Sequence, residues 1–214
     1  MSNFIQQAIF FLPPFLLAIS FHESAHAYIA DRFGDPTARR LGRVTLNPLP
    51  HIDPFGLIAI FLVHFGWAKP VPINSNNLKD PIKDNLWISL AGPASNLILA
   101  IISGVAFRLL APLLSGSHTG LLFLTMIQLS VTLNIVLMVF NLFPIPPLDG
   151  FHILEGIVPY ETYLSLQKIG RTGPLILFGL IILGSFTGFN IFGIIFSPFV
   201  KIIGGFLLGE PVGW

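Results

Sequence analysis

Apolar residues in this chain run in long blocks rather than in alternation. Residues 4–30, 86–114 and 121–143 each form an apolar block, long enough for a helix that crosses a bilayer core, which takes about 20 residues. The stretch 174–208 is long enough for two passes, with Gly188-Phe189-Asn190 as the turn between them. Gly and Ser scattered through it suit close helix packing in lipid. Pro13-Pro14 in the first block predicts a kink, or a helix that starts there. Residues 57–65 are apolar but short, contain His64, and lie between Asp53-Pro54 and Gly66-Trp67-Ala68-Lys69-Pro70. That length suits a re-entrant or interfacial segment better than a full span. The expected fold is an all-α integral membrane protein, a polytopic helical bundle of about five to six transmembrane segments, with a re-entrant or interfacial hairpin after the first helix. It reads as a single domain over 1–214, with its core at about 14–154 and C-terminal helices at about 174–208.

Composition points the same way. Hydrophobic residues make up 53% and charged residues 10%, against roughly 25% charged in ordinary soluble domains. Mean hydropathy is +0.80. Such a chain lacks the charge to coat itself for water, so its surroundings are expected to be a lipid bilayer. The net charge of +1 supplies no basic field for nucleic acid, which is not expected as a partner. Cysteine is absent, so any metal must be held by His, Asp or Glu. Ala25-His26-Ala27 imitates a signal-peptide cleavage site, but no Lys or Arg precedes the apolar run, so cleavage is not expected.

Lys and Arg orient the spans. Arg32, Arg39, Arg40 and Arg43 follow the first block, Lys69, Lys79 and Lys83 precede the second, and Lys168 and Arg171 follow the third. If 57–65 does not cross, all of these share one side, and the 115–120 loop opposite carries none. The positive-inside bias then places the N-terminus outside and residues 31–85 in the cytoplasm or at its interface.

His22-Glu23-Ser24-Ala25-His26 is an HExxH motif. Spacing of four places both imidazoles on one helix face, one turn apart, where they can hold one Zn²⁺. Glu23 lies beside that metal and can take a proton from its water. The bland alternative is that these are ordinary polar residues. Ionisable side chains inside a span are costly, however, and functional by default. Trp67 and Trp87 read as interface anchors, His118 as a loop residue and His64 as an interfacial one.

A catalytic zinc usually has a third protein ligand. Asp149 follows Pro144-Ile145-Pro146-Pro147-Leu148, which cannot continue a helix. Broken backbone at membrane depth is tolerated only inside protein or beside a watery cavity. The third span runs inward, so Asp149 reaches the depth of His22 and His26. Rivals are Glu155, Asp31, Asp53, His51 and His152. Asp31 points off the ligand face, and His51 and Asp53 sit where a capped turn would explain them. Asp149 is favoured, with Glu155 next.

HExxH in a first transmembrane helix together with a late Pro-rich Leu148-Asp149-Gly150 resembles the site-2 protease family. Ala91-Gly92-Pro93-Ala94-Ser95-Asn96 resembles that family's Gly-Pro-x-x-Asn motif. The segments His51-Ile52-Asp53-Pro54-Phe55-Gly56 and Gly66-Trp67-Ala68-Lys69-Pro70-Val71-Pro72 resemble its compact bacterial and archaeal members, which lack PDZ or CBS domains. The resemblance covers roughly residues 14–154. It implies that Asp149 is the third ligand of one Zn²⁺ per chain. It also implies that Asn141 helps hold the substrate carbonyl or its oxyanion, and that the segment before the Gly-Pro-x-x-Asn helix is a membrane-associated strand or re-entrant element that engages substrate. An interhelical hydrogen bond would equally account for Asn141. Asn96 reads as a packing or hydrogen-bonding residue, and Gly92 and Pro93 as places where helices approach or bend.

The expected function is intramembrane zinc-dependent peptide hydrolysis, with Glu23 and Asn141 catalytic and His22, His26 and Asp149 on the metal. The expected partner is a transmembrane protein or peptide. The expected location is a prokaryotic cell membrane, with the site near the cytoplasmic side. A zinc or ion transporter is the leading rival, since intramembrane His and Asp also build translocation sites. A transporter has no need of Glu23 as a base. A catalytically inactive binder of membrane proteins is the second rival, and such a chain would tolerate loss of ligands, none of which is lost here.

Overall fold

The computed structural model describes residues 2–63, 66–170, 172–187 and 191–212. The helices follow in order: α1 (Ser2–Arg32), α2 (Thr37–Arg40), α3 (Pro54–Val63), α4 (Pro81–Leu114), α5 (His118–Asn141), α6 (Asp149–Ile157), α7 (Tyr160–Gly170), α8 (Gly173–Thr187), α9 (Ile191–Phe199) and α10 (Gly205–Leu208). A π turn, Val200–Gly204, joins the last two. Among the described residues there is no strand, only an isolated antiparallel bridge between Ile52 and Ala68.

The long helix α4 lies at the centre and packs against α5, α1 and α6. Its start is set chemically: the Asp80 side chain accepts from the Lys83 amide, and Pro81 opens the helix. Ser117 caps α5 in the same way, accepting from the Gly120 amide. At about 1.5 Å per residue, α4 and α5 exceed the roughly 30 Å of a bilayer core, and both are long and apolar enough to cross a membrane. The main core joins Ala100 and Phe107 of α4, Val131, Ile135 and Met138 of α5, and Phe196, Val200 and Leu208 of the C-terminal helices.

Several boundaries differ from expectation. α1 runs through Pro13 and Pro14 without starting there. α5 stops at Asn141 rather than at 143, ahead of the prolines. His118 opens α5 instead of lying in a loop, because Ser117 is the cap. The 174–208 stretch holds two apolar helical segments, Gly173–Thr187 and Gly193–Leu208, both shorter than α4 and α5. The turn assigned to Gly188-Phe189-Asn190, like His64, lies outside the described residues.

The segment before α4 is a hairpin, as expected, but a helical one. Asp53 accepts from the amides of Phe55 (2.9 Å) and Gly56 (3.1 Å) and so starts α3. α3 is only about 15 Å long, half the thickness of a bilayer core. The chain then returns to pair Lys69 N with His51 O at 2.9 Å. Gly56 permits this closure: a Cβ there would lie 2.1 Å from the Trp67 carbonyl oxygen. Trp67 itself sits edge-on to Phe178 of α8, with ring centroids 6.2 Å apart.

Candidate metal centre

His22 and His26 project from one face of α1, one turn apart, and both are buried. Asp149, the first residue of α6, meets them. Its Oδ2 lies 3.1 Å from His22 Nε2 and its Oδ1 3.4 Å from His26 Nε2, and the two Nε2 atoms are 3.0 Å apart. The break in helix between α5 and α6 swings this carboxylate back onto α1.

Each ring is held from behind by α4. His26 Nδ1 lies 2.7 Å from the main-chain carbonyl of Ile88, which can only accept. That nitrogen therefore carries the hydrogen. His22 Nδ1 lies 2.7 Å from Asn96 Oδ1, while the Asn96 amide donates to the Ala18 carbonyl at 3.3 Å. Both Nε2 atoms are thus left with lone pairs aimed at each other and at a carboxylate. Asp149 Oδ2 is buried without a hydrogen-bond partner. With both rings neutral, three acceptors face one another and call for a shared cation, either a proton on one imidazole or a metal ion. Neighbouring ligands of a tetrahedral ion with bonds of about 2.0–2.1 Å stand about 3.3 Å apart, close to the separations here. His22, His26 and Asp149 could hold one metal ion.

Gly92, four residues before Asn96 and on the same face of α4, makes room for the rings. A Cβ there would sit 2.4 Å from His26 Nε2 and 2.6 Å from His22 Cε1. Sequence reasoning assigned Gly92 to helix packing and missed that its neighbours are the imidazoles. The i,i+4 spacing of the Gly-Pro-x-x-Asn motif was the available signal.

Glu23 is buried beside the cluster, and its Oε2 accepts from the Val71 amide at 2.9 Å. The hairpin return segment is thereby tied over the site. Arg43 secures that segment, donating to the Lys69 carbonyl at 2.5 Å and to the Pro70 carbonyl at 3.3 Å. Burial lowers the Arg43 pKa, partly offset by the charge of Glu23. Neither Val71 nor Arg43 was anticipated as part of the site.

The rival ligands are engaged elsewhere. Asp31 pairs with Arg39 at 2.6 Å. Asp53 caps α3. His51 is fully buried, with Nε2 2.9 Å from the Thr45 carbonyl. Glu155 meets His152 Nδ1 at 2.8 Å and Gln167 Nε2 at 2.5 Å in a separate cluster beside α7. Asn141 donates to the Leu137 carbonyl of its own helix at 3.0 Å.

A buried histidine pair one helical turn apart, closed by a distant carboxylate and flanked by a second, defines a metallopeptidase-type site. The model of Peptidase family M50 matches residues 115–180. "Putative zinc metalloprotease YwhC" of Bacillus subtilis is 41% identical over 177 residues, covering 80% of this chain and 80% of that protein. "Putative zinc metalloprotease Rip2" of Mycolicibacterium smegmatis is 31% identical over 187 residues, 84% of this chain and 69% of that protein. Rip2 of Mycobacterium tuberculosis is 31% identical over 189 residues, 86% and 70% respectively. The chain belongs to peptidase family M50, the site-2 proteases. No solved structure matches it.

Proposed function

We propose that this chain is an intramembrane zinc metalloendopeptidase that cuts within or beside transmembrane segments of other proteins. The observation that carries the reading is the convergence of His22 Nε2, His26 Nε2 and the Asp149 carboxylate beside the buried carboxylate of Glu23. Membership of family M50 and the names of its bacterial relatives support it.

His22, His26 and Asp149 hold the zinc. When bound, zinc supplies Lewis acidity, lowering the pKa of water from about 15.7 toward 7 and polarising the scissile carbonyl. Glu23 keeps the Val71 amide on Oε2, which leaves Oε1 to take the water proton and pass it to the leaving amine. Asn141 gives one Nδ2 hydrogen to Leu137, and its other hydrogen serves the substrate oxyanion. The substrate is a transmembrane segment that unwinds locally, because a helical carbonyl is occupied by its own hydrogen bond. The return segment of the hairpin, held over the site by the Val71–Glu23 bond, lies beside the extended substrate strand.

The helices α1, α4 and α5 cross a prokaryotic cell membrane with the N-terminus outside. Residues 31–85 and the metal centre then lie toward the cytoplasm. The one-sided distribution of Lys and Arg supports this orientation.

The test is incubation of zinc-loaded protein with a panel of single-span substrates in liposomes, with Glu23→Gln in parallel and fragments read by mass. Cleavage by the unchanged chain and none by Glu23→Gln is expected. Equal cleavage by both would overturn the role of Glu23. Absence of cleavage with zinc flux across the liposome would favour transport.

A further inference from the structure

The geometry points to Asn134 of α5 as a positioning residue that sets the orientation of His22 without touching it. Asn96 and Asn134 are both fully buried between α4 and α5. Buried amides are tolerated when every group is paired, and here the pairing has a direction. It begins at the Ser130 carbonyl, a main-chain oxygen that can only accept. Asn134 Nδ2 faces that oxygen at 2.8 Å, with Ser130 Oγ at 3.4 Å. Asn134 Oδ1 is therefore turned the other way, where it accepts from Asn96 Nδ2 at 2.8 Å. The second Asn96 hydrogen goes to the Ala18 carbonyl at 3.3 Å, so Asn96 Oδ1 can face only His22 Nδ1, 2.7 Å away.

The hydrogen on His22 is thus assigned to Nδ1 by a chain that starts three hydrogen bonds away from the ring, at the Ser130 carbonyl. His26 receives the same service from a single main-chain carbonyl, that of Ile88. A main-chain anchor cannot be lost by substitution, whereas the His22 anchor runs through two side chains. Asn134 makes the shorter of the two bonds that hold the Asn96 amide. Ser103 Oγ, 2.9 Å from Ser130 Oγ, extends the polar chain but anchors neither amide.

This inference rests on the proposed zinc site, and the experiment separates the two. The full chain in detergent is titrated with zinc against a competing chelator. Asn134→Leu and Asn134→Ser are expected to bind zinc about tenfold more weakly, the lower end of the loss known for direct partners of metal-bound histidines. Asn134→Asp is neutral when buried and presents the same donor and acceptor, so it is expected to stay close to the unchanged chain. Ser103→Ala is expected to match the unchanged chain. If Asn134→Leu does not fold, the Ser and Asp variants decide. Unaltered zinc affinity in Asn134→Ser, equal losses in the Ser and Asp variants, or an equal loss in Ser103→Ala would overturn the inference. Failure of the unchanged chain to bind zinc would instead overturn the metalloprotease reading beneath it.

Discussion

Gly92→Ala adds one methyl group at the point where α4 faces both imidazoles. The new carbon would lie 2.4 Å from His26 Nε2, 2.5 Å from His26 Cε1 and 2.6 Å from His22 Cε1. Comfortable contacts between such atoms are about 3.5–4.0 Å, so something must move by about 1 Å. Neither ring can turn aside freely, because each is pinned at Nδ1 by a 2.7 Å hydrogen bond. Overpacking of this kind costs about 1–3 kcal/mol. Taken at the rings, that cost equals a 5- to 150-fold loss of zinc affinity, at roughly tenfold per 1.4 kcal/mol. Alanine in mid-helix also gains about 1 kcal/mol over glycine, so the helix itself is not weakened. The expected outcome is a large fall in zinc affinity and peptidase activity with little change in thermal unfolding in detergent. Gly179→Ala is the control, since nothing lies within 4 Å of a Cβ there. Zinc affinity in Gly92→Ala equal to that of the Gly179→Ala control would refute the reasoning.

Other consequences follow from the surrounding residues. Burial disfavours the charge on Asp35, but hydrogen bonds from Thr37, Asn77 and the Asn74 amide outweigh it and hold its pKa below the usual value. Its stabilisation is therefore complete above the unfolded carboxylate pKa, about 3.9, and is lost as pH falls through the lower folded value. Asp35→Asn should cost about 1.5–3 kcal/mol at pH 7 and flatten the acid side of a thermal-unfolding profile; an unchanged acid limb would contradict this. Arg43→Met removes the donors to the Lys69 and Pro70 carbonyls, so amide exchange at residues 69–71 should rise and KM should increase several-fold. Unchanged exchange there would show that other contacts hold the segment. Chelation should abolish activity and zinc should restore it, with both followed by fragment mass; activity that survives complete zinc removal would rule out a zinc mechanism.

Much of the site was legible because its signals are local. The HExxH pair depends only on the period of one helix, and α1 presents His22 and His26 as that spacing requires. The prolines after Asn141 break the chain for reasons of backbone chemistry alone, which is why the turn before Asp149 was foreseeable. Asp53 could be read as a cap because a cap acts within three residues. α6 and α7 were not foreseen: they are short, and 149–170 lacks the apolar continuity that marks the longer helices.

By itself, the sequence determined an all-helical chain, apolar blocks of spanning length, a histidine pair on one face and a short list of acids able to complete the set. Each follows from periodicity, composition or local stereochemistry. The sequence favoured Asp149 among the acids; the tertiary structure brings that carboxylate to the imidazoles and engages Glu155, Asp53 and Asp31 elsewhere. Only the tertiary structure placed Gly92 against the imidazoles, tied Val71 to Glu23, and ran a hydrogen-bond chain from Ser130 through Asn134 and Asn96 to His22. Apart from the Ser130–Asn134 bond within α5, these contacts join residues far apart along the chain, which no local pattern can pair.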